Sequence, residues 1–279
     1  MITLTWVVDD VAQPPLRAEH GFAMWMETEG GRVLFDTGGS GDVLLHNLHA
    51  LDLDPSALNA VVLSHGHDDH TGGLEALLPF LPASTPVYAH PSVFRVRYSE
   101  DSEGLVRRGP AIEREALADA VDLHLNDAPV EVVDRVWTTG GIPLRSEPEG
   151  RSSRHYVLQN GEPVPDPYED DMSLALDLGE GRGFVVCGCC HAGLLNTLEH
   201  IRTHLFPSIV GIAGGIHMGS ADAEFRTHTL ARLDTLDALQ ILWLGHCSGE
   251  AFMEEVVETF GVPVVREGGA GHCITVDRD

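Results

Sequence analysis

Between Ser64 and Gly73 the chain reads Ser64-His65-Gly66-His67-Asp68-Asp69-His70-Thr71-Gly72-Gly73, packing three imidazoles and two carboxylates into one turn. These are the usual ligands of a borderline divalent ion such as zinc, and a hydrolytic metal centre needs donors that hold the ion while leaving a position open to water. The run Ala60-Val61-Val62-Leu63 ahead of the cluster reads as a buried strand, and the Gly pair opens a helical segment from Leu74. On an extended approach His65 and His67 project to the same side, while Asp69 and His70 swing round on the turn. Such a cluster can hold one metal from each flank. Asp68 is expected to face solvent.

The pattern His-x-His-x-Asp-His behind a strand resembles the signature of the metallo-β-lactamase superfamily, and the likeness runs from about Ile2 to Val276. Gly31-Arg32-Val33-Leu34-Phe35-Asp36-Thr37-Gly38 looks like the strand and turn that precede that signature. Glu19-His20-Gly21-Phe22, Asp170-Asp171-Met172-Ser173-Leu174-Ala175-Leu176, Gly188-Cys189-Cys190-His191-Ala192-Gly193, Gly214-Gly215-Ile216-His217-Met218 and Gly245-His246-Cys247-Ser248-Gly249 complete it. Together they are similar to one subgroup, metal-dependent hydrolases that include the 7,8-dihydropterin-6-yl-methyl-4-(β-D-ribofuranosyl)aminobenzene 5'-phosphate synthase-like proteins.

The resemblance implies an α/β protein folded as a four-layer αββα sandwich, with the site on one edge. It implies one or two divalent transition metals per chain, zinc foremost, with iron or manganese also compatible. His65 and His67 go to the first metal, Asp69 and His70 to the second. Cys189 stands where the superfamily usually has a bridging aspartate, and a thiolate there is softer and favours zinc; the alternative is a small cysteine packed at a strand end. Cys187 and Cys190, which straddle it, read as structural. His246, after Ile241-Leu242-Trp243-Leu244, resembles the last histidine ligand.

The third histidine of the first metal is not where the resemblance would put it, because Thr138-Thr139-Gly140-Gly141-Ile142-Pro143 carries none. His90, after Val87-Tyr88-Ala89, and His191, two residues past Cys189, are both candidates, and a mononuclear site stays open. Asp36 is expected to orient a ligand histidine. Asp69 and His217 are the catalytic candidates, Asp69 by holding the attacking water and His217 by substrate contact or proton delivery. His20 and His272 could each face the site from its loop but are expected to pack, and His46, His49, His124, His155, His200, His204 and His228 to be ordinary.

Three activities follow from the resemblance. One is hydrolysis of a small-molecule ester, lactone, thioester or phosphoester by a metal-activated water. Another is transfer, joining a hydroxymethyl-dihydropterin diphosphate to a ribofuranosylaminobenzene phosphate. The last is metal-dependent binding without catalysis. Oxygen-reducing diiron relatives fit poorly, since His67 stands where they place a carboxylate.

Composition narrows the partners. The formal charge is −26, and all 17 basic residues are Arg, so a lysine Schiff base is excluded outright. A field of that sign repels phosphate backbones, which disfavours nucleic acid as substrate and leaves small molecules. No apolar run is long enough for a membrane span, and Met1 to Asp10 reads as a first strand without a basic leader. Five cysteines, odd in number, suggest reduced thiols in a cytoplasmic protein.

The elements that must position the cluster read as one domain over residues 1–279. Strands are expected at 3–8, 22–27, 33–35, 60–63, 86–89, 130–136, 173–178, 183–188, 209–213, 240–244 and 273–276. Helices are expected at 41–51, 72–81, 113–121, 193–205, 221–239 and 251–260. Residues 91–126, rich in arginine, read as a lid or a connecting insertion, and 147–170 as a loop or small hairpin.

Overall fold

A computed structural model describes residues 1–82, 84–102, 104–261 and 265–277. The first half contains β1 (Ile2–Val8), β2 (Ala23–Thr28), β3 (Gly31–Phe35), α1 (Gly41–Ala50), β4 (Ala60–Val62), α2 (Asp68–Thr71), α3 (Leu74–Leu77) and β5 (Pro86–Ala89). Then come β6 (Arg97–Asp101), β7 (Gly104–Arg107), α4 (Arg114–Ala120), β8 (Asp122–Leu125), β9 (Val130–Val133), β10 (Val136–Thr138), β11 (His155–Gln159) and β12 (Glu162–Pro165). The chain closes with β13 (Ser173–Gly179), β14 (Arg182–Cys187), α5 (Leu194–His204), β15 (Ser208–Gly214), α6 (Ala223–Leu233), β16 (Ile241–Leu244), α7 (Glu250–Phe260), β17 (Val265–Glu267) and β18 (Cys273–Val276).

Alternation within the strands decides the layers, because successive side chains leave a strand on opposite faces. Leu4, Trp6, Met24, Phe35 and Val62 point from the sheet β18-β1-β2-β3-β4-β5-β8 into a central core. Leu174, Leu176, Phe184, Val186 and Trp243 meet them from the sheet β17-β16-β15-β14-β13-β10-β9. The residues between them face outward: Trp25, Leu34 and Val61 pack with Leu44, Leu77 and Leu117 of α1, α3 and α4. On the other side Val185, Ile212 and Leu242 pack with Ile201, Leu233 and Phe252 of α5, α6 and α7. Each such side chain contributes roughly 1.5–3 kcal/mol of burial. The result is the four-layer αββα sandwich.

Trp6 pins the two sheets together. Its ring meets Phe22 edge-on at 5.1 Å and Trp243 at 5.5 Å. Because β3, β4 and β5 run parallel, as do β14, β15 and β16, their carboxyl ends share one edge of the sandwich.

Several local expectations change. The helix at 72–81 is interrupted: α3 gives way to a short 3-10 turn carrying Pro79. The strand at 130–136 is a hairpin of β9 and β10, turned at Asp134 and Arg135, with Arg135 at φ +69°. Residues 91–126 divide between two places. β8 pairs with β5 at the sheet edge, and Leu117 and Val121 join the outer core. β6 and β7 instead join the β11–β12 hairpin as a separate sheet, ordered β12-β11-β6-β7. Among the described residues no helix is long and apolar enough to cross a membrane.

Candidate metal centre

The turn after β4 carries His65, His67, Asp69 and His70 to the sandwich edge, where the ends of β14, β15 and β16 deliver Cys189 and His191, His217, and His246. Four groups of donor atoms result among the described residues: Cys189, His217 and Cys247, then Asp10, His20 and His246, and two that include this turn. His65, Cys189 and His191 form one, with His67 Nδ1 at 2.9 Å from His65 Nε2; Asp69, His70, Cys189 and His246 form the other. Cys189 belongs to both. Asp36, Cys190, His217 and His246 sit at φ between +48° and +60°, a region that non-glycine residues seldom occupy, so backbone strain is gathered at this edge. Gly188 has no alternative residue, since a Cβ there would lie 2.3 Å from Ser64 Oγ.

Hydrogen bonding behind the rings fixes which nitrogens face inward. Ser64 Oγ donates to Asp36 Oδ2 at 2.6 Å and therefore accepts from His65 Nδ1 at 2.9 Å, leaving the lone pair on His65 Nε2. His191 Nδ1 donates to the Gly150 carbonyl at 2.7 Å, so its Nε2 is the bare nitrogen. His70 Nδ1 rests on Asp36 Oδ2 at 2.7 Å, and His246 Nδ1 on Asp10 Oδ2 at 2.8 Å. Partners of this kind orient ligand histidines and raise their basicity. Asp36 thus lies against His70 of the cluster.

Charge separates the two groups. Burial, then the neighbouring His70, holds His65 well below the ordinary imidazole range; burial also depresses His67 and His191. Burial works the same way on His70 and His246, but neighbouring negative groups outweigh it. Asp69 and Asp36 raise His70, and Cys247, Asp10 and Asp69 raise His246. Burial would raise Asp69, yet His70 and His246 carry it well below the carboxylate range. The Cys189 thiol is pushed up by burial.

The donors fit a divalent ion. Among the described residues the buried Nε2 atom of His191 has no hydrogen-bond partner, and His246 Nε2 faces Asp69 Oδ2 at 3.5 Å. His65 Nε2 and His67 Nδ1 face each other at 2.9 Å, an arrangement a cation between lone pairs would satisfy. His90 stays apart: its Nδ1 accepts from Ser92 N–H, and its ring lines a different cleft, with Asp127, Arg145 and Glu169.

The centre forms the floor of a cavity of about 460 Å³, into which His217 and Cys247 also open. Asp68 is half-buried on its wall instead of free on the surface. The small sheet supplies the roof. Arg97 of β6 is buried between Asp166, at 2.9 Å, and Asp170; Asp170 in turn accepts Gly66 N–H at 2.8 Å. The metal turn is thereby tied to the roof.

Several residues here escaped the sequence reading. His155 lies 4.8 Å from the His67 ring, and burial, with His217 beside it, pushes its pKa down to about 4. His20 does not pack away; it bonds Asp10 at 2.7 Å and approaches Asp69 at 3.5 Å. Asp9 accepts His246 N–H at 3.0 Å. The pair Asp9-Asp10 directly after β1 is a strand-end signal that could have been read. His155 has no such signal, because a hairpin brings it from outside the main sheets. His272 bonds Gln13 at the surface.

Residues 16–189 match the Metallo-beta-lactamase superfamily. The chain is 29% identical over 262 residues to the 7,8-dihydropterin-6-methyl-4-(beta-D-ribofuranosyl)-aminobenzene-5'-phosphate synthase of Methanocaldococcus jannaschii, covering 88% of each. It is 27% identical over 248 residues to an uncharacterised protein of the same organism, covering 87% of this chain and 89% of the other. Among solved structures it superposes on Tm1679, a metal-dependent hydrolase of the beta-lactamase superfamily. That match has a TM-score of 0.83 at 24% identity and covers 99% of this chain and 100% of the other.

Proposed function

The chain belongs to the metallo-beta-lactamase superfamily, and we propose that it is a metal-dependent hydrolase of a small molecule bearing an ester, lactone, thioester or phosphoester bond. The observation that carries this reading is the convergence of inward-facing imidazole nitrogens, Cys189 and Asp69 on the floor of one solvent-connected cavity. His65, His67 and His191 would hold one ion; Asp69, His70, Cys189 and His246 would hold a second. The mixed imidazole, thiol and carboxylate set suits zinc. A bound divalent ion supplies Lewis acidity toward a substrate oxygen and lowers the pKa of water.

The chain's own residues do the remaining work. Asp69 reaches His70, His246 and His20 from one carboxylate oxygen at 3.5 Å, which leaves its other oxygen able to orient a water. His217, on the wall, has a buried Nδ1 with no partner among the described residues and would contact the substrate or move a proton to the leaving group. A volume of about 460 Å³ suits one ligand at the smaller end of pockets for drug-sized molecules.

A second reading is favoured by the likeness to the archaeal synthase over 88% of both chains. In it the same centre joins a dihydropterin diphosphate to a ribofuranosylaminobenzene phosphate. Two such substrates need more room than one, and for that reason hydrolysis comes first. Zinc-loaded protein offered ester, lactone, thioester and phosphodiester panels should turn over one class and lose that activity on chelation. Inertness to all four, together with product in the pterin coupling assay, would replace the first reading with the second.

A further inference from the structure

We propose that His155 is a substrate-binding residue that presents an Nε2–H donor to an oxyanion of the molecule bound over the metal centre, and that Tyr168 is the positioning residue that sets this tautomer. The proposal deepens the reading above, since it names what the cavity must recognise.

The argument rests on where one hydrogen can go. Tyr168 is 1% exposed, with its ring stacked on His191 at 4.1 Å. Its Oη accepts Ser152 N–H at 3.2 Å and lies 2.9 Å from His155 Nδ1. A buried hydroxyl hydrogen needs an acceptor. Among the described residues the only acceptor recorded at that oxygen is His155 Nδ1. Tyr168 therefore donates, His155 Nδ1 carries the lone pair, and the ring hydrogen sits on Nε2.

The ring lines the cavity 4.8 Å from His67 and 6.2 Å from His191, above the floor of the centre. Its Nε2 has no protein partner among the described residues. A fixed N–H donor beside a metal site selects an acceptor. Arg108 and Arg154 at the same cavity add positive charge, offset on its wall by Asp68, Glu100 and Asp101. The donor and a cation held by the floor, more than the wall's net charge, therefore select for an anion. Arg108 is steadied by Ser99 Oγ at 2.8 Å. Phosphoryl and carboxylate oxygens share the chemistry this corner would take.

The test uses full-length, 15N-labelled, zinc-loaded protein with inorganic phosphate as the probe and acetate as the carboxylate arm. Long-range 1H–15N spectra should show wild-type His155 as the Nε2–H tautomer, and Tyr168→Phe should shift it toward Nδ1–H. His155→Leu should weaken binding of the preferred anion by about 10- to 100-fold with zinc content unchanged, while His155→Gln, which keeps a donor, stays near wild type. An Nδ1–H tautomer in the wild type would overturn the proposal. So would unchanged anion affinity in His155→Leu, or no binding of either anion to the wild type. Zinc loss in His155→Leu would instead assign the residue to His67 and overturn it equally. Neither readout requires turnover, so they stand or fail separately from the hydrolase reading.

Discussion

The two donor groups share Cys189 and lie side by side, yet they are supported in opposite ways. Behind His65 and His191 stand neutral acceptors, Ser64 Oγ and the Gly150 carbonyl. Behind His70 and His246 stand carboxylates, Asp36 and Asp10. A neutral partner fixes the tautomer and leaves the imidazole weakly basic when buried. A carboxylate fixes the same tautomer and also stabilises the protonated ring. The first group is therefore ready for a cation across a wide pH range, whereas the second must give up protons to receive one.

Removing a donor unique to the second group should separate them most sharply. His70→Ala should lose one metal equivalent and all detectable turnover while the first equivalent remains, as read by elemental analysis after reconstitution. Cys189→Ala should lower occupancy of the second position together with activity, and Cys189→Asp should retain both by restoring a carboxylate. Full occupancy and wild-type turnover in Cys189→Ala would mean that the thiol is merely packed.

Acid should separate the groups next. His70 and His246 hold their protons above the ordinary imidazole range, while His65, His67 and His191 lose theirs well below it. A raised pKa means that protons compete with metal before pH 6.5 is reached from above; a lowered one postpones that competition to stronger acid. Bound zinc should fall from two equivalents toward one between mildly alkaline solution and about pH 6. A single concerted release of both ions would contradict the distinction.

Much of this contrast was hidden in the sequence, for identifiable reasons. The cluster from His65 to His70 is contiguous behind a strand, so its chemistry shows without any tertiary information, and β1, β3, β4, β14 and β16 declare themselves by apolar runs. The choice between His90 and His191 does not. Both follow strands, and only sheet order separates them: β5 lies between β4 and the edge strand β8, while β14 sits inside the second sheet. His155, Tyr168 and the Gly150 carbonyl arrive on the long connection from β10 to β13, whose pairing with β6 no local pattern announces. A main-chain acceptor also carries no residue type to read.

Asp36→Asn tests the carboxylate support directly. The amide keeps the shape of the bond to His70 and removes the charge, so affinity at the second position should fall about 10- to 100-fold while the first is unmoved. Chelator competition on each equivalent gives the measurement. Equal weakening of both would show that Asp36 acts through Ser64 on the whole turn and not through His70.

The smallest effect should come from the strap that carries Gly150. Asn196 of α5, 2% exposed, accepts Glu147 N–H at 2.8 Å and donates to the Glu147 and Ala192 carbonyls at 2.9 and 2.8 Å. Three residues on, Gly150 accepts from His191. Asn196→Ala leaves the Glu147 main chain unpaired, at a cost of about 1–3 kcal/mol, unless water enters to replace the amide. The strap is also held elsewhere, by Arg145 on Glu149 at 2.8 Å and by His228 on Glu147 at 2.6 Å, so it should loosen without detaching. His191 would then keep its place but lose part of its fixed orientation. Zinc affinity should fall several-fold at the first position alone, and the pH at which the second ion leaves should not move. A larger loss at the second position would mean that the two groups are coupled through Cys189 more strongly than their separate supports imply.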